Sequence, residues 1–82
     1  MLTIDHQPEF LRKIERIKDN GLKEKVKKQI AKIIALPESG KPMRYARKGT
    51  RELYIPPFRL SYAYIPQENK IIFLDLYHKG EQ

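Results

Sequence analysis

The sequence predicts an α+β fold: an N-terminal strand and an antiparallel helical hairpin packed on one face of a small, mainly antiparallel twisted sheet (β-α-α-β-β-β). Before residue 36 apolar residues recur with a helical period, and after residue 42 they alternate with polar residues as in strands. The segment between contains Pro37, Gly40 and Pro42, which end helical structure. Because 40% of the 82 residues are hydrophobic, we expect one domain, residues 1–82, with one packed core.

The first strand and the first helix are predicted from the first 18 residues. Apolar and polar residues alternate over residues 1–6, as in a short strand. Pro8 stands where a helix would begin, because the first turn does not need its missing N–H, and Asp5 or Gln7 could cap that helix. From Glu9 to Lys18 the apolar residues have i, i+4, i+7 spacing and form one helical face.

A second amphipathic helix is expected from Leu22 to Ala35. Asn20-Gly21 before it predicts a helix stop, because glycine accepts the left-handed conformation at a helix C-terminus. The polar face of the second helix carries Lys23, Lys25, Lys27, Lys28 and Lys32. Such a stripe is the usual surface of a soluble helix, so we expect it to add to a general positive field without forming a site.

Three strands are expected in the second half of the chain. They cover residues 52–55, 58–64 and 71–76. Pro56-Pro57 and residues 66–69 have the composition of the turns between them. On the sequence alone it stays open whether Met43–Ala46 forms a further short strand.

Charge and composition limit the class of protein. A net charge of +7 favours a polyanionic partner, namely nucleic acid, an anionic membrane surface or an acidic protein. A surplus of surface lysine and arginine that only keeps a protein soluble would give the same net charge. The chain has no cysteine, and its two histidines, His6 and His78, lie far apart, so neither a disulfide framework nor a metal centre is expected. No apolar run approaches the ~20 residues of a membrane span. We expect a soluble cytoplasmic protein without cofactor or membrane contact.

The segment Lys41–Arg51 is the strongest candidate for nucleic-acid binding. It carries five cations and no acidic residue, namely Lys41, Arg44, Arg47, Lys48 and Arg51. Arginine makes bidentate contacts to phosphate, and Tyr45 among these cations offers a ring on which an unpaired base can stack. The alternative is a solvated loop, but exposed segments normally mix signs and this one does not.

Other candidates lie in the last two strands. Alternation predicts that Arg59 points away from the apolar face, where it would pair with Glu52 or Asp75. His78 suits proton transfer near neutral pH, although a lone histidine is more often incidental. Two tyrosines could each be a core aromatic, a stacking platform or a weak acid, namely Tyr54 and Tyr77. These basic and aromatic side chains suit phosphoryl transfer without a metal.

The element order and two segments resemble the RelE/ParE superfamily of toxin–antitoxin toxins. The segments are RELYIPPFRLSYAY, residues 51–64, and IIFLDLYHKGEQ, residues 71–82, and the likeness covers essentially the whole chain. The resemblance implies a type II toxin that inhibits translation as a ribosome-dependent mRNA endonuclease, in which the ribose 2′-hydroxyl attacks the adjacent phosphate without a metal. The implied partners are the ribosome, mRNA and a cognate antitoxin with an acidic, partly disordered segment.

The resemblance also implies roles for individual residues. Arg59 matches the strand arginine that contacts the scissile phosphate, and Lys79 matches the basic residue that stabilises the transition state. His78 is then the best general acid or base. Glu52 and Tyr54 stand where RelE-type toxins have two lysines, so the identity of the general base stays open. The residues expected to bind RNA are Arg44, Tyr45, Arg47, Lys48, Arg51, Tyr54 and Tyr77.

Two other functions are kept as alternatives. A ParE-like toxin would poison DNA gyrase without cleaving RNA, and the loss of the paired lysines fits this reading. An RNA-binding module without toxicity would show salt-sensitive RNA binding and no growth arrest.

Overall fold

The computed structural model describes residues 1–44, 49–78 and 80 of the chain. Over these ranges it forms one mixed sheet with the strand order β1-β5-β4-β3-β2 and two helices. The elements are β1 (Thr3–His6), α1 (Pro8–Glu15), α2 (Asn20–Ala35), β2 (Lys41–Pro42), β3 (Thr50–Ile55), β4 (Phe58–Ile65), a 3₁₀ turn (Pro66–Glu68) and β5 (Lys70–His78). The predicted α+β fold is confirmed, with a two-residue edge strand, β2, that ends at Pro42. Of the segment Met43–Ala46, Met43 and Arg44 are in no strand, and the other two residues lie outside the described ranges.

Strand pairing follows from the connections. β1 and β5 are parallel, with Ile4 opposite Ile71, because the helical hairpin crosses over between β1 and the rest of the sheet. β3, β4 and β5 form an antiparallel meander. The turn between β3 and β4 contains a cis Pro56–Pro57 peptide bond. The β4–β5 register shifts between Ser61 and Tyr62, where a bulge interrupts the ladder.

The core lies between the two helices and one face of the sheet. Helix residues Phe10, Val26 and Ile33 are buried against Leu60 and other apolar residues of β3, β4 and β5. Phe10 also stacks on Phe73 with ring centroids 5.2 Å apart. The helical and strand periodicities therefore point the predicted apolar faces at each other. Neither α1 nor α2 is long and apolar enough to cross a membrane.

The helix boundaries differ from the prediction. Pro8 does begin α1, but no side-chain bond caps this helix at Gln7, and α1 ends at Glu15 instead of continuing to Lys18. The predicted stop at Asn20-Gly21 is wrong, because Asn20 is the first residue of α2. Asp19 sets this start: its Oδ1 accepts hydrogen bonds from the backbone N–H of Gly21 (2.8 Å) and of Leu22 (3.3 Å).

A buried tyrosine fixes the segment between α2 and β2. The Tyr62 hydroxyl donates to the carbonyl oxygen of Pro37 (2.7 Å) and accepts from the N–H of Gly40 (2.8 Å). A Cβ at Gly40 would lie 2.6 Å from this hydroxyl, so the close approach requires glycine. From β3, Arg51 Nη1 donates to the carbonyls of Glu38 (3.1 Å) and Gly40 (2.8 Å). These bonds hold the chain that leads into β2 beside β3.

Candidate functional site

The sheet face turned away from the two helices carries a row of polar and aromatic side chains. Tyr54 on β3 is opposite Arg59 on β4, and Arg59 is opposite Tyr77 on β5. Residues directly opposite in a ladder share a face, so these three side chains lie together. Glu52, two residues before Tyr54, is on the same face, and β2 brings Lys41 directly opposite Glu52.

Glu52 is the centre of this row. It is a carboxylate with only 7% of its surface exposed, and it is the buried charged residue of the described chain. Its Oε2 accepts a hydrogen bond from the Tyr77 hydroxyl, and its Oε1 lies 3.5 Å from Arg59 Nη1. Both carboxylate oxygens therefore have a partner, as a buried charge requires.

Arg59 lies between Glu52 and the ring of Tyr54. Its guanidinium carbon is 6.0 Å from the centroid of that ring, which is the outer range of a cation–π contact. The side chain is one-third exposed, while its Nε is buried and has no hydrogen-bond partner among the described residues. The strand thus presents a partly neutralised cation at the surface of the sheet.

An open depression of about 340 Å³ lies over this row. Its lining residues are Lys41, Met43, Glu52, Tyr54 and Arg59. Tyr54 is 53% exposed, so its ring is accessible from this side. Two cations, one carboxylate and an accessible ring can hold a singly charged anion that carries a planar group.

The structure divides the predicted site residues between the two faces of the sheet. His78 is opposite Phe58, on the helix side, and its ring contacts Phe58 edge-on at 5.6 Å. The His78 Nδ1 accepts from the N–H of Gly80 (3.2 Å). Arg59 and His78 are therefore not brought together. Of the two partners predicted for Arg59, Glu52 is found, whereas Asp75 pairs with Lys13 (2.9 Å).

The remaining predicted residues have different surroundings. Arg51 is on the helix side and uses its guanidinium to hold the segment before β2. Arg44 is exposed beside a second shallow depression of about 480 Å³ that Lys41 also lines. Tyr77 as a whole is 9% exposed, which leaves little of its ring for a base to stack on. Tyr45, Arg47, Lys48 and Lys79 lie outside the described residues.

Two members of the site have a larger part in it than the sequence indicates. The sequence names Glu52 as a possible partner of Arg59 and Lys41 as part of a basic segment, but it predicts neither the burial of Glu52 nor the position of Lys41 opposite it. A two-residue turn at Pro56-Pro57 fixes the β3–β4 register, and this register makes Glu52 the diagonal neighbour of Arg59. That signal favours Glu52 over Asp75 as the partner of Arg59. Within the described ranges, no group of three or more histidine, aspartate or glutamate side chains could hold a metal ion.

The fold and this face define a small basic protein with a helical hairpin on one side of a sheet and a row of polar and aromatic side chains on the other. The family profile described as ParE toxin of type II toxin–antitoxin system, parDE, matches residues 4–82. The chain belongs to this family, within the RelE/YoeB/ParE group of toxins of type II toxin–antitoxin systems. No curated protein sequence matches the chain.

Solved toxins share the fold at low sequence identity. The chain is similar to the E. coli RelBE toxin–antitoxin complex, with TM-score 0.79 and 14% identity over 100% of both chains. The YoeB/ParE toxin from Agrobacterium tumefaciens has TM-score 0.82 and 14% identity, over 94% of this chain and 98% of that chain. The RelBE2 complex from Mycobacterium tuberculosis has TM-score 0.78 and 20% identity, over 95% and 98%.

Proposed function

We propose that this toxin, as one domain of residues 1–82, acts in the cytoplasm as a ribosome-dependent mRNA endonuclease and so inhibits translation. The observation that carries the proposal is Arg59, held on an open sheet face between Glu52 and Tyr54. An arginine fixed in this way can bind a phosphodiester, while the exposed ring beside it can support a base.

The proposed reaction transfers the phosphoryl group within the RNA. The ribose 2′-oxygen forms a bond to the adjacent phosphorus, and the bond from phosphorus to the 5′-oxygen breaks. The 2′-hydroxyl proton passes to a base and the leaving 5′-oxygen receives a proton, giving a 2′,3′-cyclic phosphate and a 5′-hydroxyl. Arg59 and Lys41 would hold the phosphate and stabilise the negative charge that develops on its oxygens.

The proton transfers are assigned on the family resemblance. His78 is the proposed proton donor or acceptor, and Lys79 is proposed to stabilise the transition state. Because His78 is on the other side of the β5 strand from Arg59, an RNA that touches both must pass over the end of that strand. Glu52 is nearer to Arg59, but its two oxygens are already engaged.

The test is cleavage of mRNA in a translating extract, followed by primer extension. Wild type is compared with Arg59→Ala, His78→Ala and Arg12→Ala, an arginine whose ion pair with Glu9 is on the exposed face of α1. We expect cuts at codon positions that are lost in folded Arg59→Ala and His78→Ala and kept in Arg12→Ala. Full cutting by folded Arg59→Ala would contradict the assignment.

The partners are proposed on the same basis. RNA backbone contacts are assigned to Arg44, Arg47 and Lys48, with Tyr45 and Tyr54 as the aromatic contacts. Arg51 and Tyr77 are given no RNA contact in this proposal, because Arg51 donates to the carbonyls of Glu38 and Gly40 and Tyr77 is buried. Some of the similar structures are complexes whose names include both toxin and antitoxin. We propose a cognate antitoxin with an acidic, partly disordered segment, since a +7 chain attracts such a segment over a long range.

Inhibition of DNA gyrase is the second candidate. It is favoured by Glu52, which neutralises a cation on the proposed RNA face at a position where RelE-type toxins have lysine. Expression in cells distinguishes the two functions: translation fails first for an mRNA endonuclease, and DNA supercoiling fails first for a gyrase poison.

A further inference from the structure

The edge strand β2 has few ladder hydrogen bonds of its own to hold it in the sheet. It is two residues long, and its second residue, Pro42, has no backbone N–H to donate to β3. Just after the strand, the N–H of Met43 donates to the carbonyl oxygen of Thr50 (3.0 Å). So short an edge strand opens easily unless other contacts fix the chain beside it.

Arg51 supplies such contacts from the helix side of the sheet. Its Nη1 donates to the carbonyl oxygens of Glu38 (3.1 Å) and of Gly40 (2.8 Å), the residue directly before β2. The Tyr62 hydroxyl accepts from the N–H of the same Gly40 (2.8 Å). Both backbone polar groups of Gly40 are therefore held, and the bonds from the guanidinium are charge-assisted, which makes them stronger than bonds between neutral groups.

The residue that follows Gly40 is Lys41, which belongs to the candidate site. Lys41 lies opposite Glu52 and lines the depression on the other face of the sheet together with Arg59. A long lysine side chain loses much rotational freedom when it binds a phosphate, so a fixed backbone beneath it reduces what binding must still order. Arg51 thus acts on the backbone of the site from the face that the ligand does not reach.

We propose that Arg51 is a positioning residue: it does not touch RNA, and it holds Lys41 at the edge of the sheet, where Lys41 binds a phosphate of the RNA. The inference rests on the proposed function in one respect, because it takes Lys41 as a phosphate-binding residue. It gives separate roles to two cations of the basic segment, since one binds the ligand and the other binds carbonyl groups of its own chain.

The first test is hydrogen exchange at the N–H of Met43, which reports the opening of β2 without any ligand. Arg51→Met keeps an unbranched apolar stem but removes the donors. Arg12→Met, on the exposed face of α1, is the control with the same loss of charge. We expect exchange at Met43 to become at least about tenfold faster in Arg51→Met, the effect of one lost bond to a charged group, and to stay unchanged in Arg12→Met.

The second test is a double-mutant cycle on the binding of a fluorescent oligouridine RNA, measured by anisotropy at about 0.1 M salt. We expect Lys41→Ala to weaken binding by about tenfold and Arg51→Met by up to the same factor. The double variant should bind no more weakly than Lys41→Ala alone, whereas two independent RNA contacts would multiply to a loss of about a hundredfold. Arg12→Met should change binding by less than about twofold.

Three results would overturn the inference: exchange at Met43 that is no faster in folded Arg51→Met than in wild type, losses of the two variants that multiply, or Lys41→Ala that binds like wild type. If Arg51→Met does not fold, Arg51→Lys replaces it. Its ammonium ends one atom short of the position of Nη1 while the net charge stays at +7. Faster exchange and weaker binding in this variant support the inference, and a wild-type value of either one overturns it.

Failure of the proposed function has a different signature. A protein that shows the expected cycle but does not cut mRNA in the extract keeps the role of Arg51 and loses the nuclease. A protein that cuts mRNA although the losses of the two variants multiply keeps the nuclease and loses only the role of Arg51.

Discussion

At the scale of single residues, the Tyr77–Glu52 contact holds a buried charge in the sheet. Tyr77→Phe removes the hydroxyl that donates to Glu52 Oε2 and leaves a carboxylate that is 7% exposed with one donor fewer. We expect the free energy of unfolding to fall by about 1.5–3 kcal/mol, as for a lost hydrogen bond to a charged group. Urea unfolding followed by circular dichroism measures this change.

The matched control for Tyr77→Phe is Tyr64→Phe. Tyr64 is half-buried on the same strand pair and makes no side-chain hydrogen bond with the other described residues. Removal of its hydroxyl should change stability by less than about 0.5 kcal/mol. Equal losses in the two variants would mean that the hydroxyl on Tyr77 has no special role.

Tyr62 makes the other buried tyrosine contact, on the opposite face of the sheet. Its hydroxyl joins the carbonyl of Pro37 to the N–H of Gly40, and the residue is fully buried. Tyr62→Phe leaves both backbone groups without this partner, so we expect a loss of about 1–3 kcal/mol in urea unfolding. A variant as stable as wild type would show that these backbone groups find other partners.

Glu52 illustrates what a sequence cannot show about a residue. Alternation assigns it correctly to the face away from the core, and polar residues on such a face are normally exposed. Its burial depends on Tyr77, which is 25 residues away on another strand, and on the β2 edge strand. The sequence therefore predicts the side of the sheet, whereas the partners require the three-dimensional fold.

At the scale of elements, the start of α2 depends on one cap. Asp19 Oδ1 accepts from two of the N–H groups that the first turn leaves without a helical partner. Asp19→Ala should lower the free energy of unfolding by about 1 kcal/mol. The control is Glu24→Ala on the same helix, where an exposed ion pair with Lys27 (3.7 Å) is expected to contribute less than about 0.5 kcal/mol. Equal losses would contradict the capping role.

This cap also explains the error at Asn20-Gly21. Glycine after asparagine often ends a helix, but here the preceding aspartate satisfies the N–H of Gly21 and directs the chain into a helix. The two-residue strand β2 is equally hard to predict, because its pairing with β3 depends on contacts of Tyr62 and Arg51. Long periodic segments, such as α2 and β5, were predictable because their apolar faces repeat over several turns or residue pairs.

At the scale of the whole molecule, the positive charge is distributed over two sides of a thin body. The lysines of α2 are in the helix layer, whereas Lys41 and Arg59 are on the other side of the sheet. The shortest extent of the Cα trace is 21 Å, about twice the Debye length at 0.1 M salt. At that salt, a cation in one layer is screened from a ligand on the other side.

A pair of variants with equal net charge tests this separation. Arg59→Ala and Lys25→Ala each lower the net charge of +7 by one, but only Arg59 lines the site. Binding to a single-stranded RNA oligomer is measured by fluorescence anisotropy over a series of salt concentrations. We expect Arg59→Ala to reduce the slope of log K against log salt by about 0.7, which is one phosphate contact, and Lys25→Ala to leave it nearly unchanged. Equal reductions of the slope in the two variants would mean that RNA binding follows the total charge. The sheet face would then not be a specific RNA-binding site.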